Sequence, residues 1–476
     1  MQSVTANIPL IFILPLLAAV FALSANFFKF TISQKTVQIF SLTSNSICLL
    51  IAAALTCFYM LNTEAEPFIA SLDWLKAGDL TVSLGILADA NSSLCVLITM
   101  LVGLVVQIAS AKFLDENKNF NLYFAFINLL LVNAEAILFS SNLIQFVIFA
   151  LLAGACIYLI LNMNADKVNV SNCSKKFLII DRLGDVCLFF AIFILLYFIK
   201  AYELSYTGEL LGFKGLSDMA ADFYVYMTDV NFYALCILFF VGISAKAGLF
   251  PFQSKLLSVS YDYSPASYLI LIVMAVTGGL FITRLLPVFE LSGNAVSTIY
   301  VIFGISVGYT LIYGFLNHFC FSVKNDFSYL MYCCLINIYV ILPLTMTSHS
   351  DMQNIKVYIV FIVFTILYIA WFVLDIKHYI KNAEIKNINT NQDIIDKIFN
   401  WIIDNILDIP RNILRLIDKY VLPFVIDSCG YVFRVISWLI SCTQNGKIQH
   451  YIIYSVIFTA IMLILYLIMI VGAGEV

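Results

Sequence analysis

The sequence predicts an all-α polytopic membrane protein with about twelve transmembrane helices. Of its 476 residues, 62% are apolar and only 11% are charged, against about 45–50% and 25% in soluble proteins. Apolar runs of about 20 residues recur along the chain, and each is long enough to cross a bilayer as a helix. Helices are expected because a helix satisfies its own backbone polar groups in lipid. With a mean hydropathy of +0.98, a water-soluble fold is excluded.

The predicted spans follow one another with short loops between them. The first run ends before the first basic residue, Lys29, so we interpret it as a span and not as a cleavable signal. The fourth and fifth spans are separated only by residues 140–142 and are expected to form a tight hairpin. The twelve spans are predicted at residues 7–29, 36–61, 90–112, 119–140, 142–162, 176–199, 230–250, 265–287, 294–320, 327–347, 355–380 and 450–473.

The loops predict the orientation of the chain. Twelve basic residues, with Lys112 and Lys255 among them, fall in loops on one side, and five fall on the other. Since basic loops stay in the cytoplasm, the N-terminus is expected outside. The outer loop 62–89 alternates around Gly78 in the manner of a small β-hairpin.

The segment 391–443 differs from the spans. Polar residues recur there every three to four positions, which is typical of an amphipathic helix, and Pro410 and Pro423 interrupt it. Such a helix suits either an anchor at the membrane surface or a strut against partner subunits.

Composition and motifs exclude several functions. The net charge of −4 provides no basic surface for nucleic acid. The twelve cysteines contain no C-x-x-C pair, so neither a zinc site nor an iron–sulfur cluster is indicated. Glycine-rich nucleotide-binding loops are absent from the sequence. The chain is expected to hold no cofactor or metal of its own.

Lys246 is the leading candidate for a functional residue. It stands near the end of the seventh span, and a charge inside a span costs at least about 2.5–3.5 kcal/mol. Gly248, Pro251 and Pro265 follow it and predict a broken helix whose loosened backbone holds water. Burial penalises the charged form of an amine, which suits a group that loads and releases protons. The alternative is a structural lysine that reaches to the membrane surface.

The other charged residues in or near the spans can each be interpreted in two ways. Glu135 lies in the middle of the fourth span, where a carboxylate should face the bundle interior, paired or protonated. Asp181, Arg182 and Asp185 open the sixth span, where opposite charges could pair one turn apart. Interfacial anchoring explains these three equally well.

Short patches along the chain resemble a known family. The patches, in order, are Leu87-Ala-Asp89 for L-D-x-L-S-x-L, Tyr123 to Leu129 for F-F-A-Y-x-N-L, Ser141-Asn-Leu143 for D-N-L, Asp181-Arg-Leu-Gly-Asp185 for N-R-x-G-D, Ala245 to Gln253 for G-K-S-A-Q-x-P-x-x-x-W-L, Pro265-Ala-Ser267 for P-V-S-A, and Gln444 to Tyr451 for Q-T-G-x-x-Q-x-Y. Their order resembles the antiporter-like membrane subunits of proton-pumping NADH:quinone oxidoreductase (respiratory complex I). The last patch favours the type called subunit L in bacteria and subunit 5 in mitochondria. Large subunits of multisubunit cation/proton antiporters share that fold.

The chain departs from the family pattern at its polar residues. The glutamate of G-W-E-x-x-G is absent from the aligned stretch Phe149–Gly154, and Leu271 replaces the histidine or lysine expected after P-V-S-A-L-I. Lys324 stands at the lysine of D-I-K-R. A second buried lysine and two to four spans of the second repeat are missing. The resemblance thus implies Lys246, Glu135 and Lys324 as proton-transfer candidates, with Glu135 as a replacement partner for Lys246.

The resemblance also implies the organisation of the chain. Five parts are expected, namely N-terminal helices with an outer hairpin, a first five-helix repeat, a partial second repeat, an amphipathic lateral helix and a C-terminal anchor. Their predicted ranges are 1–112, 113–290, 291–385, 386–449 and 450–476.

The implied function is that of a non-redox membrane-arm subunit of a proton-translocating NADH:quinone oxidoreductase, with reduced pumping of its own. Its partners would be other membrane subunits, and flavin, iron–sulfur clusters and quinone would be held by partner subunits. The expected location is a bacterial inner membrane in preference to a mitochondrial one. The alternatives are a subunit of a monovalent cation/proton antiporter and a non-transporting structural or assembly paralogue.

Overall fold

The structure is a computed structural model. It describes residues 7–27, 33–62, 65–77, 80–113, 119–163, 168–201, 212–213, 229–249, 252, 255, 259, 265–291 and 301. Lys324, Pro251, the spans predicted from residue 294 onward and the amphipathic segment 391–443 lie outside the described residues. The count of twelve spans and the five-part organisation therefore stay predictions.

The described part of the chain contains eight helices and one two-stranded β-hairpin. The elements are α1 (Ile8–Phe27), α2 (Gln34–Leu61), β1 (Phe68–Ala77), β2 (Leu80–Ala88), α3 (Ala90–Phe113), α4 (Phe120–Leu138), α5 (Leu143–Met163), α6 (Val168–Ala201), α7 (Asp229–Ala247) and α8 (Ala266–Leu291). The helices lie at the positions of the first eight predicted spans. Six of them, α1 to α5 and α8, are long and apolar enough to cross a membrane, which confirms those predicted spans and an integral membrane protein.

Helix α4 lies at the centre of the described bundle. It packs against α1, α2, α3, α5 and α8, while α6 packs against α5 and α7, and α7 packs against α8. Because α4 has neighbours on all sides, its polar residues are buried as well as its apolar ones, and Asn128 and Glu135 have no exposed surface. A helix in this position must satisfy its polar side chains within the protein.

A network of amides joins α4 to α2 and α3. The Asn128 Oδ1 atom accepts hydrogen bonds from Asn45 Nδ2 at 3.1 Å and from Gln107 Nε2 at 2.9 Å. The Asn128 Nδ2 atom donates to Ser41 Oγ at 2.9 Å. One side chain of α4 thus holds two neighbouring helices through three buried hydrogen bonds.

The β-hairpin predicted in loop 62–89 is present. Strands β1 and β2 pair antiparallel from Phe68 opposite Ala88 to Ala77 opposite Leu80, with a bulge at Trp74. Two buried side chains tie the hairpin to the helices. Tyr59 Oη donates to the Ala88 carbonyl at 2.7 Å, and the Gly85 amide donates to Gln145 Oε1 at 2.9 Å.

A sharp corner joins α4 and α5, as the short spacing predicted. The Asn142 Oδ1 atom caps α5 by accepting from the Gln145 amide at 2.7 Å. On the other side of the corner, the Arg284 guanidinium of α8 donates to the carbonyls of Leu138 and Ser140 at the end of α4. A cation near the C-terminal carbonyls of a helix is favourable, so Arg284 stabilises this corner.

We predict that Asn128→Leu destabilises the bundle. The substitution keeps the side-chain size but leaves the buried amides of Asn45 and Gln107 without their acceptor, at about 1–3 kcal/mol for each unsatisfied group. The thermal midpoint of the purified protein in detergent should fall by several degrees.

The control for Asn128→Leu is Asn62→Leu. Asn62 is an exposed residue whose side chain bonds only the Phe58 carbonyl one turn back, and its substitution should leave the midpoint near that of the wild type. Equal midpoints for the two variants would contradict a structural role for the amide network.

Candidate functional site

The site forms where α7 ends. Gly248 has a φ of +73°, a left-handed conformation that glycine adopts without strain, and the Leu249 amide donates to the Ser244 carbonyl at 2.9 Å. This six-residue loop is the Schellman arrangement that closes a helix. Lys246 therefore lies in the last turn of α7, where carbonyl groups favour a cation. Helix α7 thus ends just before Gly248, and α8 begins directly after Pro265. The broken helix expected around Lys246 includes Pro251, which lies outside the described residues, and it stays a prediction.

Two aspartates of α6 surround the Lys246 ammonium group. Its Nζ atom lies 2.8 Å from Asp181 Oδ2 and 2.6 Å from Asp185 Oδ1. Both carboxylates are buried, and Lys246 is only 8% exposed. The contact with Asp181 is a hydrogen bond, whereas the oxygens of Asp185 have no hydrogen-bonding geometry. Asp185 therefore contacts Lys246 as an ion pair, which requires a short distance but no particular angle.

A second lysine completes the site from the segment after α7. The Lys255 Nζ atom donates to Asp181 Oδ1 at 2.7 Å and to the carbonyls of Ala245 at 2.8 Å and Lys246 at 3.2 Å. It also lies 4.6 Å from the centre of the Phe177 ring, a cation–π distance. Lys255 is only 1% exposed. Its three donors thus bind one carboxylate and two carbonyls at the open end of α7.

Arg182 covers the aspartates from the more exposed side. Its Nη1 atom lies 3.1 Å from Asp185 Oδ2, one helical turn away, and its side chain is 34% exposed. The Nη2 atom lies 3.5 Å from Asp181 Oδ2 and donates to the Leu151 carbonyl of α5 at 2.9 Å. We call the five residues Asp181, Arg182, Asp185, Lys246 and Lys255 the lysine cluster.

The lysine cluster contains more positive groups than negative ones. If all five side chains are charged, Arg182 and the two lysines outnumber the two aspartates by one. A surplus charge in a buried site is costly. Loss of one proton from a lysine makes the five side chains neutral in sum, so this set of residues has the groups needed to exchange a proton.

Small residues bring the charged side chains together. A Cβ added to Gly184 of α6 would lie 2.8 Å from the Ala245 Cβ atom and 3.0 Å from the Gly242 carbonyl of α7. A Cβ on Gly242 would lie 2.6 Å from the Leu188 side chain. Glycines at both positions let the two backbones approach closely, as in other membrane helix pairs. This approach places Asp181 and Asp185, on either side of Gly184, against Lys246.

Gly154 of α5 provides room for Asp181. A Cβ at this position would overlap the Asp181 carboxylate and approach the Arg182 guanidinium group. The site therefore depends on the absence of a side chain here, as well as on the charged residues themselves. In the family pattern the same glycine ends G-W-E-x-x-G.

Glu135 does not pair with Lys246, which corrects the partnership expected from the sequence. Both carboxylate oxygens of Glu135 are buried and have no hydrogen-bond partner among the described residues. Lys246 pairs with Asp181 and Asp185, on a different helix from Glu135. An unpartnered buried carboxyl avoids a large desolvation cost when it is protonated. A role of Glu135 in proton transfer stays a prediction.

The sequence did not predict Lys255 as a residue of the site. Lys255 was assigned to an inner loop because it follows the end of an apolar run, yet it is buried against α7. The spacing of Lys255 from Pro251 does, however, indicate a special role for this lysine. In the motif P-x-x-x-W-L, aligned on Pro251, Lys255 stands at the position of the tryptophan. A lysine at a large apolar position in an otherwise similar stretch indicates that a charged partner lies nearby.

Comparisons with known proteins agree with this architecture. A family model described as NADH:quinone oxidoreductase/Mrp antiporter, transmembrane, matches residues 140–398, just over half of the chain. A second model, the N-terminus of chain 5 of NADH-ubiquinone oxidoreductase (complex I), matches residues 74–124. The two matches follow one another in the family's order.

Curated relatives match less than half of the chain. The chloroplastic NAD(P)H-quinone oxidoreductase subunit 5 of Carpenteria californica is 28% identical over 220 residues, which is 45% of this chain and 28% of that protein. Chain 5 of NAD(P)H-quinone oxidoreductase from the Picosynechococcus species is 27% identical over 235 residues, 49% of this chain and 34% of that protein. The match spans about a third of the length of these relatives.

Two solved structures share the fold. A chain of the archaeal membrane-bound sulfane sulfur reductase, a respiratory membrane complex, has a TM-score of 0.62 over 78% of this chain and 71% of its own. A chain of the Mrp complex from a Dietzia species has a TM-score of 0.58 over 80% of this chain and 38% of its own. Both are 14% identical to this chain, so they establish the fold alone.

We predict that Gly184→Val weakens the packing of α6 against α7. The added methyl groups would overlap Ala245 and Gly242, and overpacking of this kind costs about 1–3 kcal/mol. The thermal midpoint of the purified protein in detergent should fall by several degrees.

The matched control for Gly184→Val is Ala155→Val, which adds volume at an exposed position of α5 and should be tolerated. A Gly184 variant as stable as this control would show that close approach of the two helices is not required.

Proposed function

This chain belongs to the family of NADH:quinone oxidoreductase and Mrp antiporter transmembrane subunits, and we propose that it is a subunit-5-like membrane subunit of a proton-translocating NADH:quinone oxidoreductase. In this proposal the lysine cluster carries the proton-exchange step. The observation that carries it is the buried Lys246 in the last turn of α7, held between Asp181 and Asp185. Charged groups buried in a membrane bundle mark ion pathways, because their cost is otherwise avoided.

The proposed step is a change of protonation at Lys246. With its proton, the Lys246 ammonium group is held by the two carboxylates of α6, and the cluster carries one surplus positive charge. Without it, the cluster is neutral and Lys246 keeps only a weak attraction for Asp181 and Asp185. A conformational change in a partner subunit that alters water access to the end of α7 would then load or release this proton. Arg182 holds the two aspartates in place throughout, since a guanidinium group keeps its charge.

We expect weaker proton transfer beyond the cluster than the family pattern provides. Leu271 of α8 is buried at the position of the family's histidine or lysine, and Leu151 stands where the family has a glutamate. Neither side chain can carry a proton, so a proton leaving Lys246 in those directions must cross on water. Lys324 remains a candidate for a later step. Pumping by this subunit is therefore proposed to be reduced.

The proposal extends to partners and location. Flavin, iron–sulfur clusters and quinone would reside in partner subunits, and this chain would supply no redox group of its own. The segment 391–443 would lie along neighbouring membrane subunits. We place the protein in a bacterial cell membrane with its N-terminus outside, as the bias of basic loop residues indicates.

A cation/proton antiporter subunit is the second candidate. The shared fold with a chain of the Mrp complex favours it, and the lysine cluster would serve there equally well. The third candidate, a structural or assembly paralogue, is favoured by the missing family residues at 151 and 271. Purification of the native complex separates the first two. Partners that contain flavin and iron–sulfur clusters support the oxidoreductase, whereas an assembly of small membrane subunits without them supports the antiporter.

We predict that Lys246→Ala and Lys246→Arg both lower proton uptake per NADH oxidised in inverted membrane vesicles. Alanine removes the proton-exchanging group, and arginine retains the charge but does not release its proton. Loss of a positioned proton-transfer group slows its step by about 10²-fold or more. The complex should still assemble in the arginine variant, as judged on a native gel.

The control for both variants is Lys175→Arg, at an exposed lysine of α6, which should pump as the wild type does. A structural lysine gives the opposite order, with arginine tolerated and alanine harmful to assembly. Wild-type proton uptake in the Lys246→Arg vesicles would exclude a proton-exchange role.

A further inference from the structure

Lys255 has a position that the proton-exchange step does not by itself require. It shares one carboxylate with Lys246, because Asp181 accepts from Lys246 at Oδ2 and from Lys255 at Oδ1, at 2.8 Å and 2.7 Å. It is also more deeply buried than Lys246. The positive charge of a second buried amine on the same acid disfavours the protonated form of the first amine.

Counting charges shows what Lys255 changes. Without it, Arg182 and Lys246 would balance Asp181 and Asp185, and the cluster would be neutral with all four of its side chains charged. Lys246 would then hold its proton firmly, since losing it would leave a buried net negative charge. With Lys255 present, the cluster carries one surplus positive charge when all five side chains are charged, and it becomes neutral when one lysine has lost a proton.

The contacts of Lys255 favour Lys246 as the group that loses the proton. The three donors of Lys255 bind Asp181 and the carbonyls of Ala245 and Lys246, and those two carbonyls belong to the open end of a helix, which favours a positive charge. Among the described residues, the Lys246 Nζ atom contacts only the two aspartates. Loss of a proton would leave Lys255 with two N–H donors for its three acceptors. A neutral Lys246 would still have two donors for its two aspartates.

We propose that Lys255 is a positioning residue, which keeps its own charge and thereby makes the proton on Lys246 exchangeable. This inference rests on the proposed function and adds to it the residue that sets the proton affinity of the site. It acts through Asp181 and through the charge balance of the cluster, and it exchanges no proton itself.

Apart from the exposed Lys175, which serves as a control, the other charged groups that the structure describes on the neighbouring helices are the same in every variant compared below. Helix α5 carries no charged residue, and Arg284, the charged residue among the described side chains of α8, donates to carbonyls at the end of α4. Glu135 of α4 has no ion-pair or hydrogen-bond partner in the described part of the chain. Lys176, which is also buried on α6, is present in every variant compared below and leaves the differences between them unchanged.

The test is a pH titration of Lys246 in the purified complex by infrared difference spectroscopy. Subtracting the spectrum of a Lys246→Met variant in each background isolates the signal of this lysine. In Lys255→Gln, which keeps two donors but loses the charge, the midpoint should rise by about 1 pH unit or more. Lys255→Arg, which keeps the charge, and Lys175→Gln, at an exposed site, should leave it unchanged.

A double variant separates charge from structure. Lys255→Gln with Asp185→Asn restores the surplus of one positive charge, so its midpoint should return toward the wild-type value. If Lys255 only caps the end of α7, the midpoint would not rise in Lys255→Gln. The double variant would then fall below the wild-type value, because it has lost the Asp185 charge beside Lys246. Either result overturns the inference. The titration requires no turnover of the enzyme. It can therefore fail while the proton-uptake measurement in vesicles, which tests the proposed function, succeeds, and the reverse also holds.

Discussion

The carboxylate of Asp181 is the interaction on which the rest of the site depends. It joins α6 to the end of α7 and to the segment that follows, because two buried lysines share its two oxygens. Gly154 and Gly184 leave the space that this arrangement needs. A larger side chain at either position would overlap the carboxylate or separate the helices. The packing of small residues and the placement of charges are therefore one constraint in this molecule.

Much of the fold could be predicted from the sequence, and much of the site could not. Apolar runs determine where helices lie, so the described helices agree with the predicted spans, and the alternating loop forms the predicted hairpin. Lys246 was identifiable because a charge in an apolar run is costly. Its true partners were not, because pairing between helices depends on which faces meet, and hydropathy contains no information about that. Lys255 was assigned to a loop for the same reason.

The buried acid beside Lys246 is on a different helix from the glutamate of the family pattern. Position 151 is a leucine whose carbonyl accepts from Arg182, while Asp181 stands where the motif N-R-x-G-D has asparagine. The acid that contacts Lys246 in this chain is therefore on α6 and not on α5. A buried amine requires a nearby carboxylate, and the geometry satisfies that requirement from a neighbouring helix. In the direction of α8, the buried Leu271 has no group that could carry a proton.

The most direct test of this account compares Asp181→Asn, Lys246→Met and the double variant by proton uptake per NADH oxidised. If Asp181 and Lys246 act as one unit, each single variant removes the same step, and the double variant should lose no more than either single one. Losses that multiply in the double variant would show that the two residues act independently. Such a result would contradict the claim that the shared carboxylate of Asp181 is the centre of the site.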